Sequence, residues 1–140
     1  MKLDVAQAMI ATALSYGAKQ KFNPLAVAVL DARGALKAFA AAEGTSLRRA
    51  ELAIGKANGA LALGIGTRAI AKIAVDRPHF VAAATHAAGG SLVPTAGGVL
   101  IRDGAGVLLG AIGVSGDTSD HDEAAAMAGI TAVGLKGDTG

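Results

Sequence analysis

His79, His86 and His121 are the only imidazoles, and the absence of cysteine removes thiolate nucleophiles, disulfides, thiolate metal sites and iron–sulfur clusters. His86 precedes Ala87-Ala88-Gly89-Gly90, and paired glycines let a ligand approach the backbone closely. That context makes His86 the candidate general base, pocket donor or metal ligand. The competing reading is an exposed histidine favoured by the negative end of a helix dipole. His79 follows Pro78 and reads as surface. It can share a helical face with His86, but two turns away, and the i, i+4 histidine pair of a zinc-protease helix is absent. His121 stands among Asp117, Asp120, Asp122 and Glu123. Imidazole with hard oxygens suits manganese, iron or zinc, so a metal would have to use His121, Asp122 and Glu123. Acidic residues also gather at helix N-termini, with Thr118 and Ser119 as ready caps, and the expectation is no metal.

Gly64-Ile65-Gly66-Thr67-Arg68-Ala69 matches a dinucleotide fingerprint by letter, but that fingerprint needs a preceding strand. A helical pattern precedes it here, so the glycines read as a turn between helices. Thr67 and Arg68 open the next helix, where free backbone N–H groups favour an anion. Arg68 is therefore a candidate anchor for a carboxylate or phosphate. Ser115 lacks the second glycine of a nucleophile elbow and reads as a backbone-capping residue. Lys56 and Asn58 lie beside Gly55, Ala57 and Gly59. The polar pair reads either as a solvated helix face or as the lining of a cleft between subunits.

The elements that must position these groups follow from spacing. Leu3, Ala6, Ile10, Ala13 and Leu14 recur with a helical period, Asp4 and Gln7 resemble a capping box, and Gly17 is a plausible stop. Residues 25–30 are apolar on both alternating faces, as in a central strand covered on two sides. Asp31-Ala32-Arg33-Gly34 has turn chemistry, so 35–40 should return antiparallel. Thr45-Ser46 can cap a long helix that Gly64 and Gly66 end. Thr67 can cap a shorter one that Asp76-Arg77-Pro78 stops, and 79–86 adds a turn or two. Leu92-Val93, 99–102 and 107–114 read as a meander of three strands. A last helix covers 120–133, and 136–140 is expected to fray. This order implies one domain, 1–140: an α/β (α+β) fold with an antiparallel sheet and helices around it.

Composition narrows the function classes. Thirty-four alanines and 20 glycines among 140 residues make the interior mostly methyl groups, filled by close backbone approach. Surface scaling predicts roughly 6,500 Å² exposed when folded. A net charge of +2 with 3% aromatic residues lacks the stacking platform of a nucleic-acid binder. No apolar run approaches the roughly 18 residues that span a bilayer, and Asp4 and Gln7 interrupt the first apolar stretch, so no signal peptide is read. A cytoplasmic protein without nucleic-acid or membrane partners is expected.

Five ordered stretches carry a family resemblance: Asp4-Val5-Ala6-Gln7-Ala8; Val27-Ala28-Val29-Leu30-Asp31-Ala32-Arg33-Gly34-Ala35-Leu36; Leu92-Val93-Pro94-Thr95-Ala96-Gly97-Gly98-Val99-Leu100-Ile101-Arg102-Asp103-Gly104; Gly110-Ala111-Ile112-Gly113-Val114-Ser115-Gly116; and Asp122-Glu123-Ala124. Together they resemble the GlcG/HbpS-like domain, also found as the C-terminal domain of PduO-type proteins. The resemblance implies a profilin-like fold with a five-stranded antiparallel sheet flanked by helices. It also implies a homo-oligomer, from dimer up to octamer, and haem as a possible cofactor. In haem-binding relatives it places a ligand histidine near the end of the first helix. Here Ala13-Leu14-Ser15-Tyr16-Gly17 stands there, and Tyr16 is the residue able to ligate ferric iron.

The expected function is an oligomeric accessory protein that binds a small ligand, either haem or another tetrapyrrole or a small organic metabolite. Tyr16, Lys56, Arg68, His86, Gly89 and Gly90 are the candidate ligand-binding residues, and the roomiest cavity is expected where protomers meet. The alternatives are a cofactor-independent lyase or isomerase acting on a small organic acid, with His86 as base and Arg68 as anchor, and a structural subunit without ligand.

Overall fold

The computed structural model describes residues 1–140 throughout. The elements are α1 (Leu3–Lys19), β1 (Ala26–Asp31), β2 (Leu36–Ala41), α2 (Arg49–Leu63), α3 (Thr67–Asp76), α4 (Pro78–Ala87), β3 (Gly98–Arg102), β4 (Leu108–Ser115), α5 (Ser119–Ala132) and β5 (Lys136–Asp138). The strands form one sheet in the order β2-β1-β4-β3-β5, and every neighbouring pair is antiparallel. This is the profilin-like α/β architecture that the resemblance implies. The fold exposes 6654 Å², close to the scaling expectation. No helix is long and apolar enough to cross a membrane.

Alternation along the central strands decides what each face receives. Val27, Val29, Val99, Ile101, Ile112 and Val114 point to one side, where α1 and α5 cover them with Met9, Ile10 and Ile130. Each fully buried side chain of this size contributes ~1.5–3 kcal/mol. The intervening residues, among them Ala26, Ala28, Gly98, Ala111 and Gly113, face α2, which answers with Ala53, Ala57 and Ala60. On that side backbone nearly touches backbone: a Cβ on Gly113 would lie 1.9 Å from the Ala53 carbonyl oxygen.

Six sequence expectations are corrected. Asp4 and Gln7 form no capping box, because the N-cap of α1 is Lys2 and Asp4 already lies in the first turn, and Thr45-Ser46 do not cap α2, whose N-cap is Arg48. Leu92-Val93 is not a strand; it crosses the outside of α2, with Val93 N–H donating to the Gly55 carbonyl at 3.2 Å. The fifth strand is Lys136–Asp138, which pairs with β3 instead of fraying, helped by an Arg102–Asp138 ion pair at 3.3 Å. Gly17 does not stop α1, which runs on to Lys19; the close approach of the Leu25 side chain requires a glycine there, and the left-handed residue comes later, at Lys21. Thr67 is no cap: it is buried inside the first turn, where its hydroxyl accepts from Gly98 N–H at 2.7 Å and fastens α3 to β3.

Candidate functional site

Helices α2 and α5 lie on opposite faces of the sheet, and each sends one charged side chain around its end. Lys56 Nζ donates to Asp122 Oδ2 at 2.8 Å, and the two residues are only 3% and 1% exposed. The other oxygen, Asp122 Oδ1, accepts from Asp117 N–H at 2.9 Å. Gly97 sits beneath the pair at φ +119°, and a Cβ there would stand 2.9 Å from Lys56 Nζ. Glycine is therefore needed both for the backbone angle and for the space. Burial pushes the Lys56 ammonium down, with Arg49 adding to the shift, and pushes the Asp122 carboxyl up, while each partner pulls the other toward the charged form. The proton between them is accordingly easier to move than in an exposed pair.

Above the pair lies a cavity of about 230 Å³, lined by Arg49, Lys56, Thr95, Ser115, Asp117 and Asp122 among others. Arg49 Nη1 donates to the buried Ser115 hydroxyl and its Nε to Ser46, both at 3.1 Å. Arg49 has no carboxylate partner. The first turn of α5 adds the positive end of its dipole. The cavity thus carries two cations, Arg49 and Lys56, and two carboxylates, Asp117 and Asp122, and Arg49 is the cation among them with no carboxylate partner. Its lining comes from one copy of the chain, so it does not need the expected meeting of protomers.

The candidates from the sequence are placed as follows. Lys56 is in the cavity and not on a solvated face, whereas Asn58 turns the other way and donates to the Ser91 carbonyl at 2.7 Å. Arg68 lines a neighbouring cavity of about 350 Å³ that shares Thr95 and Ser119 with the first. Its guanidinium is held by Asp120 and, at 3.0 Å, by Glu123, so it joins α3 to α5. His86 is exposed at the end of α4, and Gly89 and Gly90 form the turn that ends that helix, with Gly90 N–H donating to Thr85 at 2.8 Å. None of these three lines a cavity.

His121, Asp122 and Glu123 diverge because consecutive helical residues point about 100° apart. Asp122 turns to Lys56 and Glu123 to Arg68, while His121 Nδ1 lies 2.6 Å from Asp117 Oδ1. The His121 ring stacks on Phe22 at 4.1 Å, and Tyr16 meets Phe22 edge-on at 5.9 Å. Hydrogen bonds from Asn23 N–H, Thr118 N–H and His121 hold the Asp117 carboxyl down to about 2. Sequence reasoning missed Arg49 and the Lys56–Asp122 pairing. The signal was there: Lys56 falls on the small-residue face set by Ala53 and Ala60, and Asp122 on the face of Ala125, Ala126 and Gly129. A charge on a buried face requires a partner.

The family model described as haem degrading protein HbpS-like matches residues 1–131. This chain belongs to the HbpS-like family. Its fold is similar to the crystal structure of HbpS, with 26% identity, a TM-score of 0.80 and coverage of 94% of this chain and 89% of that one. It is also similar to a crystal structure described as a PduOC:heme complex, at 22% identity and TM-score 0.86 over 97% and 96% of the two chains. Klebsiella pneumoniae protein ORFY is a further neighbour in fold, with 21% identity, a TM-score of 0.83 and coverage of 96% and 90%. No curated protein matches the chain.

Haem needs an axial His, Tyr or Met beside a flat apolar slot. No cavity of this HbpS-like chain is lined by any of those residues, and Met9 is fully buried in the core. The cavities within one copy do not fit haem.

Proposed function

We propose that this HbpS-like chain is a small-ligand-binding accessory protein whose ligand is a small organic acid. The acid's carboxylate is taken by Arg49 in the cavity above Lys56 and Asp122. The observation that carries this reading is Arg49 itself, a cation held at the cavity wall by two hydroxyls and neutralised by no carboxylate. A cavity of about 230 Å³ falls below the usual ~300–1,000 Å³ of ligand sites, which suits an acid of few carbons. At the adjoining cavity Arg68 is neutralised by Asp120 and Glu123, so Lys72 is the cation there without a carboxylate partner. The working form is a homo-oligomer, since Phe80 is exposed beside the alanine-lined groove of α4, and Leu3, Leu36 and Phe39 are exposed around β2.

Titration calorimetry with L-lactate tests the reading. Saturable binding is expected, weakened about tenfold to a hundredfold in Arg49→Gln, the worth of a charged hydrogen bond of ~1.5–3 kcal/mol. Equal affinity in the variant, or no binding of small acids at all, would overturn it.

Haem is the second reading, favoured by the HbpS-like family match and by the crystal structure described as a PduOC:heme complex. Because one copy offers no fitting cavity, haem would sit between copies, with Tyr16 or His86 as its ligand. A saturable Soret shift on hemin titration that is lost in Tyr16→Phe or His86→Ala supports it; a nonsaturating titration removes it.

A further inference from the structure

We propose that Lys56 is an amine nucleophile that condenses with the carbonyl group of a small 2-oxo acid, forming an imine in the cavity. This rests on the proposed binding of a small acid by Arg49. Three features of the site support it independently of that binding. Lys56 lines the cavity from a nearly fully buried position, and Gly97 leaves room beside its nitrogen that a Cβ would take. Asp122, 2.8 Å away, is placed to take a proton from the ammonium. Arg49 lines the same cavity, and a second cation close to a desolvated lysine favours the neutral, nucleophilic amine. Burial and Arg49 both lower the Lys56 pKa accordingly.

Apolar residues of similar volume can replace a buried ion pair at little loss of stability, so stability alone does not account for this one. The pair also forms the wall of a solvent-reachable cavity beside a cation that lacks a carboxylate. A 2-oxo acid carries both complementary groups on adjacent carbons: the carboxylate for Arg49 and the carbonyl for Lys56. The hydroxyl of Ser115, already bonded to Arg49, lies within the same set of polar groups.

The step balances within these groups. Lys56 passes one proton to Asp122, and its lone pair forms a C–N bond to the carbonyl carbon as the π pair moves to oxygen. That oxygen takes a proton from the nitrogen. Asp122 then returns its proton, the oxygen departs as water, and the nitrogen lone pair closes a protonated imine. No oxidant or metal is consumed.

The experiment uses the full chain with pyruvate as probe, sodium borohydride as trap and L-lactate as a ligand without a carbonyl. The expected result is a single covalent adduct whose mass increase is the acid less one oxygen. Peptide mapping should place it on Lys56, with excess lactate protecting the residue. Lys56→Arg, checked for folding by thermal melting, should lose the adduct; if that variant does not fold, mapping of the unaltered chain decides. Binding of both acids without an adduct, or an adduct spread over exposed lysines such as Lys2 and Lys19, would overturn the imine and leave the binding reading standing. Failure of both acids to bind would overturn the two together.

Discussion

The two faces of the sheet are packed by opposite strategies. Toward α1 and α5, valine and isoleucine from three strands interdigitate with Met9, Ile10 and Ile130, and stability comes from filled volume. Toward α2 the strands offer Leu30 and Leu100 at one end and only glycine and alanine at the other, where the helix descends until its carbonyls lie against strand backbone. A layer so thin has little side-chain volume with which to seal the end of the sheet. A cavity opens there, and the ion pair between Lys56 and Asp122 spans from one layer to the other. The thick face makes the core, and the thin face leaves the cavity.

The contrast breaks most violently by adding one methyl group to the thin face. Gly113→Ala would push a Cβ into the Ala53 carbonyl, and neither backbone can move aside. A loss of upwards of ~4 kcal/mol is expected, seen as failure to reach a cooperative urea transition. Next in size is Asp122→Ala, which leaves the Lys56 ammonium buried and unpaired. Chemical denaturation should show a loss of ~3–5 kcal/mol, most of it regained when Lys56→Met and Asp122→Leu are combined. That double variant should melt normally and still bind L-lactate through Arg49, yet give no borohydride-trapped adduct with pyruvate, which separates the pair's structural role from its chemical one.

The thick face responds to removal of volume instead. Ile112→Val, deleting one methylene from a fully buried side chain, should cost ~0.5–1.5 kcal/mol by the same denaturation. The smallest effect concerns Asp117, which secures the chain entering β1 through Asn23 N–H at 2.6 Å. Its carboxyl lies at about 2 in the folded chain against an ordinary 3.8. A carboxyl lowered on folding stabilises above its unfolded value, and this is lost as pH falls through the folded one. Asp117→Asn should therefore melt lower than the unaltered chain above pH 4, and the two should converge toward pH 2.

Much of this was legible in the sequence. Period and turn chemistry located all five helices and four of the five strands, and the glycine-rich motifs around Gly97 and Gly113 carried the family resemblance. Lys136–Asp138 escaped because a three-residue polar strand has no pattern of its own; its pairing depends on Leu100 and Arg102 on the far side of the chain. Leu92-Val93 misled for the converse reason: two apolar residues fit a strand equally well as they fit the grooves left by Gly55 and Gly59. At the site, Lys56 was visible as a lysine among small residues. Its partner was hidden because Asp122 stands in a run of acids that the α5 dipole explains just as well. Arg49 was invisible, since its meaning comes only from Ser115, which the fold brings to it from β4.

The central claim is that the thin face leaves a cavity in which Arg49 takes the carboxylate of a small acid above the Lys56–Asp122 pair. A crystal structure of the chain grown with L-lactate tests it most directly. The account predicts the acid's carboxylate on the Arg49 guanidinium, with its carbon chain toward Lys56. Lactate seated elsewhere, or a cavity holding only water at saturating acid, would contradict it.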